Sequence, residues 1–173
     1  MFTTDQTLGS SSAYRTGCTM LFIAAAVIVA ALGFEHIGGY VPCPLCLQQR
    51  YAYYAAIPIL FAALVMVTAD QPRWAAFLFA LVALAFLANA GLGTYHAGAE
   101  WKFWPGPEGC SGTTGTPVSA KNLLEGLEHE TCARCDEPQF RFVGLSFAGW
   151  NVLASILIAF GIIRAALQAA SRN

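Results

Sequence analysis

The sequence predicts an all-α integral membrane protein: a bundle of four transmembrane helices with a short first loop and a long second loop on one side of the membrane. Of its 173 residues, 57% are hydrophobic and only 11% are charged, whereas about 25% are charged in an average soluble domain. The apolar residues are also concentrated in four blocks, each close to the ~20 residues that an α-helix needs to cross a bilayer. We expect a single domain over 1–173.

The four predicted spans lie at about 18–34, 51–69, 74–95 and 143–163. Charged residues such as Asp70 and Arg73 fall at their edges, and aromatic residues gather near their ends, as in interfacial belts. The tight turn at 70–73 makes spans two and three antiparallel neighbours. The first block could instead be a cleaved signal peptide, but no small-residue cleavage site stands out before Glu35, so we expect a retained span.

Charge excludes one class of partner. The net charge is -1 and the isoelectric point is near 6.3, which leaves no basic surface for nucleic acid. We therefore expect membrane lipid around the protein and no nucleic-acid partner.

The cysteines indicate which side the loops face. With four spans, both termini lie on one side, and both loops, 35–50 and 96–142, lie on the other. Five of the six cysteines fall in these loops. Lysines and arginines are nearly balanced between the two sides, so the positive-inside rule does not decide the orientation. Because cytosolic thiols are kept reduced, we expect these loops in a periplasm or its equivalent.

The segment Cys43-Pro44-Leu45-Cys46 predicts reversible redox chemistry at a membrane surface. A C-x-x-C pair closes a small disulfide ring, and we expect Cys46 in the first turn of the second span, where the helix N-terminus favours a reactive thiolate. Arg50 follows Cys46 at i+4 and can project from the same helix face. It would stabilise a thiolate facing an electron acceptor; alternatively, Arg50 only extends to the lipid headgroups.

The second loop contains three more cysteines, Cys110, Cys132 and Cys135. Any two of them can form a disulfide, and the residues alone do not rank the three pairings. His96, at the end of the third span, lies on the same membrane face as Cys46. An imidazole there could relay the proton that a quinone takes up near neutral pH, or it could simply hydrogen-bond to the loop.

A metal site is the rival interpretation of the cysteines. The two C-x-x-C pairs could form a Cys₄ zinc site, and His96 or His129 could replace one cysteine. However, the pairs are far apart in sequence, and oxidised thiols cannot bind a metal. We therefore expect no metal.

The chain resembles the DsbB family of membrane oxidoreductases, which reoxidise the periplasmic dithiol oxidase DsbA. Three motifs carry the resemblance, which covers nearly the whole chain: Cys43-Pro44-Leu45-Cys46 with Arg50, Tyr95-His96 with Glu100-Trp101, and Cys135 with Phe140-Arg141-Phe142-Val143-Gly144-Leu145. The DsbA–DsbB–quinone system keeps the bacterial periplasm oxidising.

The resemblance implies a relay of thiol–disulfide exchange. The family's second-loop pair maps onto Cys110 and Cys135, although Cys132 departs from the pattern and leaves a competing Cys132–Cys135 bond open. A reduced DsbA-like partner would attack Cys110, and Cys135 would then engage Cys43. This exchange would release Cys46 as a thiolate beside a bound quinone.

The resemblance also implies Arg50 and His96 as quinone-binding residues and a multi-pass location in the bacterial inner membrane, with both termini cytoplasmic. We expect ubiquinone rather than menaquinone, although no residue around Arg50 distinguishes them. The partner could be a general DsbA or a dedicated oxidase.

Two other functions fit the sequence less well. A conduit for reducing power would need a cysteine pair deep in the spans, where only Cys18 is available. A channel or transporter would need ionisable residues near the midplane, where Asn89 is the most polar candidate.

Overall fold

A computed structural model describes residues 4–106, 135–136, 138 and 140–171. It contains four long helices: α1 (Thr4–His36), α2 (Pro44–Thr68), α3 (Pro72–Glu100) and α4 (Phe147–Ala170). A short antiparallel hairpin of β1 (Arg141–Phe142) and β2 (Leu145–Ser146) precedes α4. Each helix contains an apolar stretch long enough to cross a membrane, which confirms the predicted four-helix membrane architecture.

The helices pack as a bundle in which α1 and α3 each contact both α2 and α4. Large side chains, fully buried, fill its centre: Leu60, Phe79, Phe86, Ile158 and Ile162. Other large apolar side chains, including Phe22, Phe77 and Phe160, point outward and are exposed. A soluble monomer rarely exposes so much apolar surface, so this outer surface suits contact with lipid.

Local sequence signals define the helix starts nearest to the cysteines. Pro44 occupies the first turn of α2, where its fixed φ is already helical. Cys43 caps this helix, and its Sγ accepts a hydrogen bond from the Cys46 N–H at 3.2 Å. Ser146 caps α4 in the same way, because its Oγ accepts from the Gly149 N–H at 3.3 Å. The N-termini of α2 and α4 therefore both lie on the face that carries the cysteine loops.

The helix boundaries differ from the apolar runs that predicted them. Helix α2 begins at Pro44, so the second half of the predicted first loop belongs to its first two turns. Helix α4 begins at Phe147, not near Val143. Val143 and Gly144 form the hairpin turn with φ values of +52° and +81°, the pattern of a tight two-residue turn. Hydrophobicity alone did not separate this hairpin from the helix.

Candidate functional site

Three of the four candidate catalytic cysteines meet at one end of the bundle. The Sγ atoms of Cys43 and Cys46 are 2.7 Å apart. Cys135 is buried and packs against Cys43 and Leu45. The fourth candidate, Cys110, lies outside the described residues, as does Cys132, which could replace Cys110 as the disulfide partner of Cys135. The structure therefore brings a second-loop cysteine to the C-x-x-C pair, from more than 80 residues away in sequence.

The two thiols of the pair have different environments. Cys43 precedes α2 and is buried; its contact with the Cys46 thiol and its burial raise the pKa of Cys43 well above the usual range. Cys46 lies in the first turn of α2, where the helix dipole favours an anionic sulfur. A single negative charge on the reduced pair therefore belongs on Cys46.

Arg50 is held by α1. Its Nη1 donates a hydrogen bond to Glu35 Oε2, and its Nη2 lies 3.5 Å from the main-chain oxygen of Ala31. The sequence interpretation did not select Glu35, although a signal was present: Glu35 and Arg50 are the only acidic or basic residues in 35–50, apart from His36. The guanidinium is thereby kept beside Cys46, one helical turn away.

A chain of hydrogen bonds lies behind the cysteine pair. The Tyr53 hydroxyl donates to Asn151 Oδ1 at 2.7 Å, and Asn151 Nδ2 donates to Gln49 Oε1 at 2.5 Å. Gln49 Nε2 lies 2.9 Å from His96 Nδ1, and His96 Nε2 lies 3.6 Å from Cys43 Sγ. The sequence interpretation selected His96 but missed Gln49 and Asn151, because residues so far apart in sequence carry no local signal of their contact.

Glu100 follows His96 by one helical turn, and its Oε1 lies 3.8 Å from His96 Nε2. The Glu100 side chain is 6% exposed. Its Oε2 has no hydrogen-bond partner within the described part of the chain. A buried polar atom without a partner is unfavourable, so a hydrogen-bond donor beside this oxygen would stabilise the site.

A cavity of about 670 Å³ adjoins the site. Most of its lining is apolar, and its polar lining residues are those of the cysteine pair and its neighbours: Glu35, Cys43, Cys46, Gln49, Arg50, Tyr53, His96, Glu100 and Asn151. Four rings cover one side of it, with centroids of neighbouring rings 5.1 to 6.2 Å apart: Phe34, Tyr40, Phe140 and Phe147. This size and lining are typical of sites for small apolar molecules with a few polar atoms.

Three of the site residues have side chains that commonly bind metal ions. The ligand atoms of Cys43, Cys46 and His96 lie within 4.8 Å of one another. Two thiolates bound to one tetrahedral zinc would be roughly 3.8 Å apart, given Zn–S bonds of ~2.3 Å. The two sulfur atoms are 2.7 Å apart, so their arrangement suits sulfur–sulfur exchange better than zinc binding.

Known proteins resemble this chain over most of its length. The chain is 31% identical over 144 residues to disulfide bond formation protein B of Herminiimonas arsenicoxydans, covering 82% of this chain and 87% of that protein. It is 31% identical over 157 residues to disulfide bond formation protein B of Aromatoleum aromaticum, covering 86% and 91%. It is 29% identical over 167 residues to disulfide bond formation protein B 1 of Pseudomonas fluorescens, covering 92% and 95%. No solved structure matches this chain.

A family model agrees with these relatives. The model described as disulfide bond formation protein DsbB matches residues 14–165. This range contains all four apolar helices except the ends of α1 and α4, and it contains the cysteine pair with its cavity. The chain is therefore a multi-pass membrane protein that belongs to the DsbB family of disulfide bond formation proteins.

Proposed function

We propose that this protein is a quinone-dependent thiol–disulfide oxidoreductase that reoxidises a periplasmic DsbA-like dithiol oxidase. One observation carries the proposal: Cys46 of the C-x-x-C pair lies in the wall of a largely apolar cavity, one helical turn from Arg50. A thiol pair that exchanged only with other proteins would not need such a cavity, whereas a lipid-soluble electron acceptor does.

The proposed relay begins in the second loop. A thiolate of the reduced partner attacks Cys110 of a Cys110–Cys135 disulfide, and Cys135 leaves. The Cys135 thiolate attacks Cys43 of the Cys43–Cys46 disulfide, and Cys46 leaves as a thiolate. The packing of Cys135 against Cys43 supports this step, because exchange requires contact between the two sulfur atoms.

The return steps restore both disulfides. The partner's second thiolate completes the partner disulfide and releases Cys110, which attacks Cys135 and releases Cys43. The Cys43 sulfur then bonds to Cys46, and the electron pair of the two thiolates is transferred to quinone. The quinone accepts these two electrons with two protons and becomes quinol, so the net reaction is one partner dithiol oxidised for each quinone reduced.

The cavity residues fit a quinone. Arg50 would stabilise negative charge on Cys46 and on a quinone oxygen, and Glu35 holds its guanidinium at the cavity wall. His96 and Glu100 also line the cavity and would offer further polar groups to a quinone. We propose ubiquinone as the quinone, with the cysteine loops in the periplasm and both termini in the cytoplasm of a bacterial inner membrane.

Quinone-dependent oxidation of reduced DsbA by the purified protein tests the proposal. Wild type and Cys132→Ser should both turn over, and Cys135→Ser should not. Failure of the wild type to reduce quinone would remove the proposed enzyme activity. Loss of turnover in Cys132→Ser would instead assign the second-loop disulfide to Cys132 and Cys135.

A further inference from the structure

The hydrogen bonds behind the cysteine pair have a direction. The Tyr53 hydroxyl donates to Asn151 Oδ1, so the Asn151 amide nitrogen is the group that donates to Gln49 Oε1. Gln49 then presents its Nε2 to His96 Nδ1, 2.9 Å away. Because an amide nitrogen only donates, His96 Nδ1 must accept and carries no proton.

The opposite side of the imidazole faces hydrogen-bond acceptors. With Nδ1 unprotonated, the neutral ring carries its proton on Nε2. This atom lies 3.6 Å from Cys43 Sγ and 3.8 Å from Glu100 Oε1. The donor side of His96 is therefore directed at Cys43 and Glu100, and its acceptor side at Gln49.

Burial holds this arrangement in place. Gln49 is 5% exposed and His96 is 2% exposed, so little of either side chain is open to water. Gly93 of α3 lies beside the chain, and a Cβ at this position would be 3.5 Å from both Asn151 Nδ2 and Gln49 Oε1. The absence of a side chain there lets the three helices meet closely around the two amides.

We propose that Gln49 and Asn151 are positioning residues, which fix His96 in the tautomer with its proton on Nε2 and direct that proton at the Cys43 sulfur. His96 then acts as a hydrogen-bond donor to this sulfur, and not as a base that collects a proton on Nδ1. Tyr53 completes this series of hydrogen bonds, because its hydroxyl donates to Asn151 Oδ1.

This role rests on the proposed function. When Cys110 attacks Cys135 in the Cys43–Cys135 disulfide, the S–S bond breaks and its electron pair stays on Cys43. The resulting thiolate is buried, and the Nε2–H bond stabilises its charge. No proton changes place in this step, so the thiolate remains free to bond to the Cys46 sulfur while quinone takes up the electron pair of the two thiolates.

The kinetic test compares two neighbouring glutamines. Gln49→Leu removes the middle member of the hydrogen-bond series, whereas Gln48→Leu changes an exposed residue on the same helical turn. In quinone-dependent DsbA oxidation at saturating quinone, Gln49→Leu should lower kcat up to about 100-fold, as loss of positioning can. Gln48→Leu should behave as wild type. Equal kcat values for the two variants would overturn the proposal.

The spectroscopic test needs no turnover. The ¹⁵N spectrum of histidine-labelled wild type should show His96 neutral, with its proton on Nε2; His96→Gln identifies the signals. Gln49→Glu should place a proton on Nδ1, because a carboxylate accepts where the amide donated. A wild-type spectrum with the proton on Nδ1 would overturn the proposal, as would an unchanged His96 spectrum in folded Gln49→Glu.

The two proposals can fail separately. A wild type that does not reduce quinone would contradict the proposed function, and the His96 spectrum would still report whether the hydrogen bonds from Gln49 and Asn151 set the tautomer. Conversely, normal quinone reduction with the proton on Nδ1 would leave the enzyme proposal intact and remove the positioning role.

Discussion

Cys43 and Cys46 are identical side chains in unequal environments. Cys46 belongs to the first turn of α2, whereas Cys43 precedes the helix and accepts a hydrogen bond from the Cys46 main chain. The rate of thiol–disulfide exchange depends on which sulfur can carry charge as it leaves. We therefore expect Cys46 to be the leaving sulfur and Cys43 the sulfur that Cys135 attacks.

Replacing either member of the pair tests this division of roles. Cys43→Ser and Cys46→Ser should each abolish quinone-dependent turnover, because a disulfide cannot form with one sulfur, while the second-loop disulfide still forms. Mass spectrometry after alkylation without reduction reports that disulfide. Cys18→Ser is the matched control, since Cys18 lies within α1 against the bundle core, and it should retain turnover. Turnover in either of the first two variants would contradict the relay.

Arg50 provides a second test at this scale. Arg50→Gln removes the charge beside Cys46 and should raise the KM for quinone roughly 10-fold, which corresponds to a loss of about 1.4 kcal/mol. Arg73→Gln, an exposed position at the opposite end of the bundle, should leave the KM unchanged. A quinone KM that Arg50→Gln does not alter would restrict Arg50 to a structural contact with Glu35.

The sequence predicted contacts between site residues that are close together along the chain. Cys46 and Arg50 are four positions apart on one helix, so their common face followed from helical periodicity. The contact of Gln49 with His96 joins two helices, and no periodicity predicts it. Glu35 was missed because its partner Arg50 lies across a loop whose path the residue spacing does not determine.

Among the elements, the hairpin before α4 contains the most unfavourable backbone. Val143 has a φ of +52°, a conformation that is costly for a β-branched residue. Val143→Asn should raise the stability of the protein by up to about 1 kcal/mol, because Asn tolerates this conformation and Asn-Gly favours such turns. Thermal unfolding in detergent measures the change.

A branched polar residue provides the control at the same site. Val143→Thr keeps the β-branching and should give no gain in the unfolding temperature. Equal gains for Asn and Thr would assign the effect to polarity at this exposed position and contradict the conformational explanation.

The contact between α3 and α4 depends on Gly93. A Cβ at this position would lie 2.9 Å from Val152 Cγ2. Gly93→Ala should therefore destabilise the bundle by about 1–3 kcal/mol, as overpacking does, and should reduce turnover by disturbing the neighbouring amides. Gly91→Ala is the matched control, because a Cβ there meets no atom within 4 Å. Equal unfolding temperatures for the two variants would contradict the close approach.

Hydrophobicity predicted the existence of the four helices but not all of their boundaries. The four spans followed from their apolar runs, but helices α2 and α3 also include polar residues such as Gln49 and Glu100 at the loop face. These residues face protein rather than lipid, so they do not interrupt a helix. The hairpin was missed because Phe142, Val143 and Leu145 are as apolar as the helix that follows.

Among the described helices, most hydrogen bonds between side chains of different helices lie in the half of the bundle that carries the cysteine loops. Below the Tyr53 and Asn151 pair, Asn89 Nδ2 donates to Ser155 Oγ at 3.0 Å. Phe86 packs edge-on against the Tyr53 ring, with the ring centroids 5.0 Å apart, and the axis toward the termini is filled by fully buried Phe79 and Ile162. In the described helices, this apolar layer separates the loop-side hydrogen bonds from the contact near the termini, where Thr16 Oγ1 donates to Gln168 Oε1 at 3.2 Å.

This distribution predicts that turnover does not respond to the membrane potential. Moving one charge across the membrane involves about 2.3 kcal/mol per 100 mV, or on the order of 50-fold in rate if that step limits turnover. With the protons for quinol drawn from the loop side, no charge crosses the apolar layer. Quinone reduction in proteoliposomes should therefore be equal with and without a potassium diffusion potential of about 100 mV. A rate that changes several-fold would require a transmembrane proton path.

The apolar layer of Phe79, Phe86 and Ile162 then acts as an electrical insulator as well as a packing core. A bacterial membrane stores energy as an ion gradient, and any continuous polar route through a protein would discharge it. Under the proposed function, the bundle oxidises thiols on one surface while that stored energy stays intact. The cell could therefore hold many copies of this protein in its membrane without a leak that grows with their number.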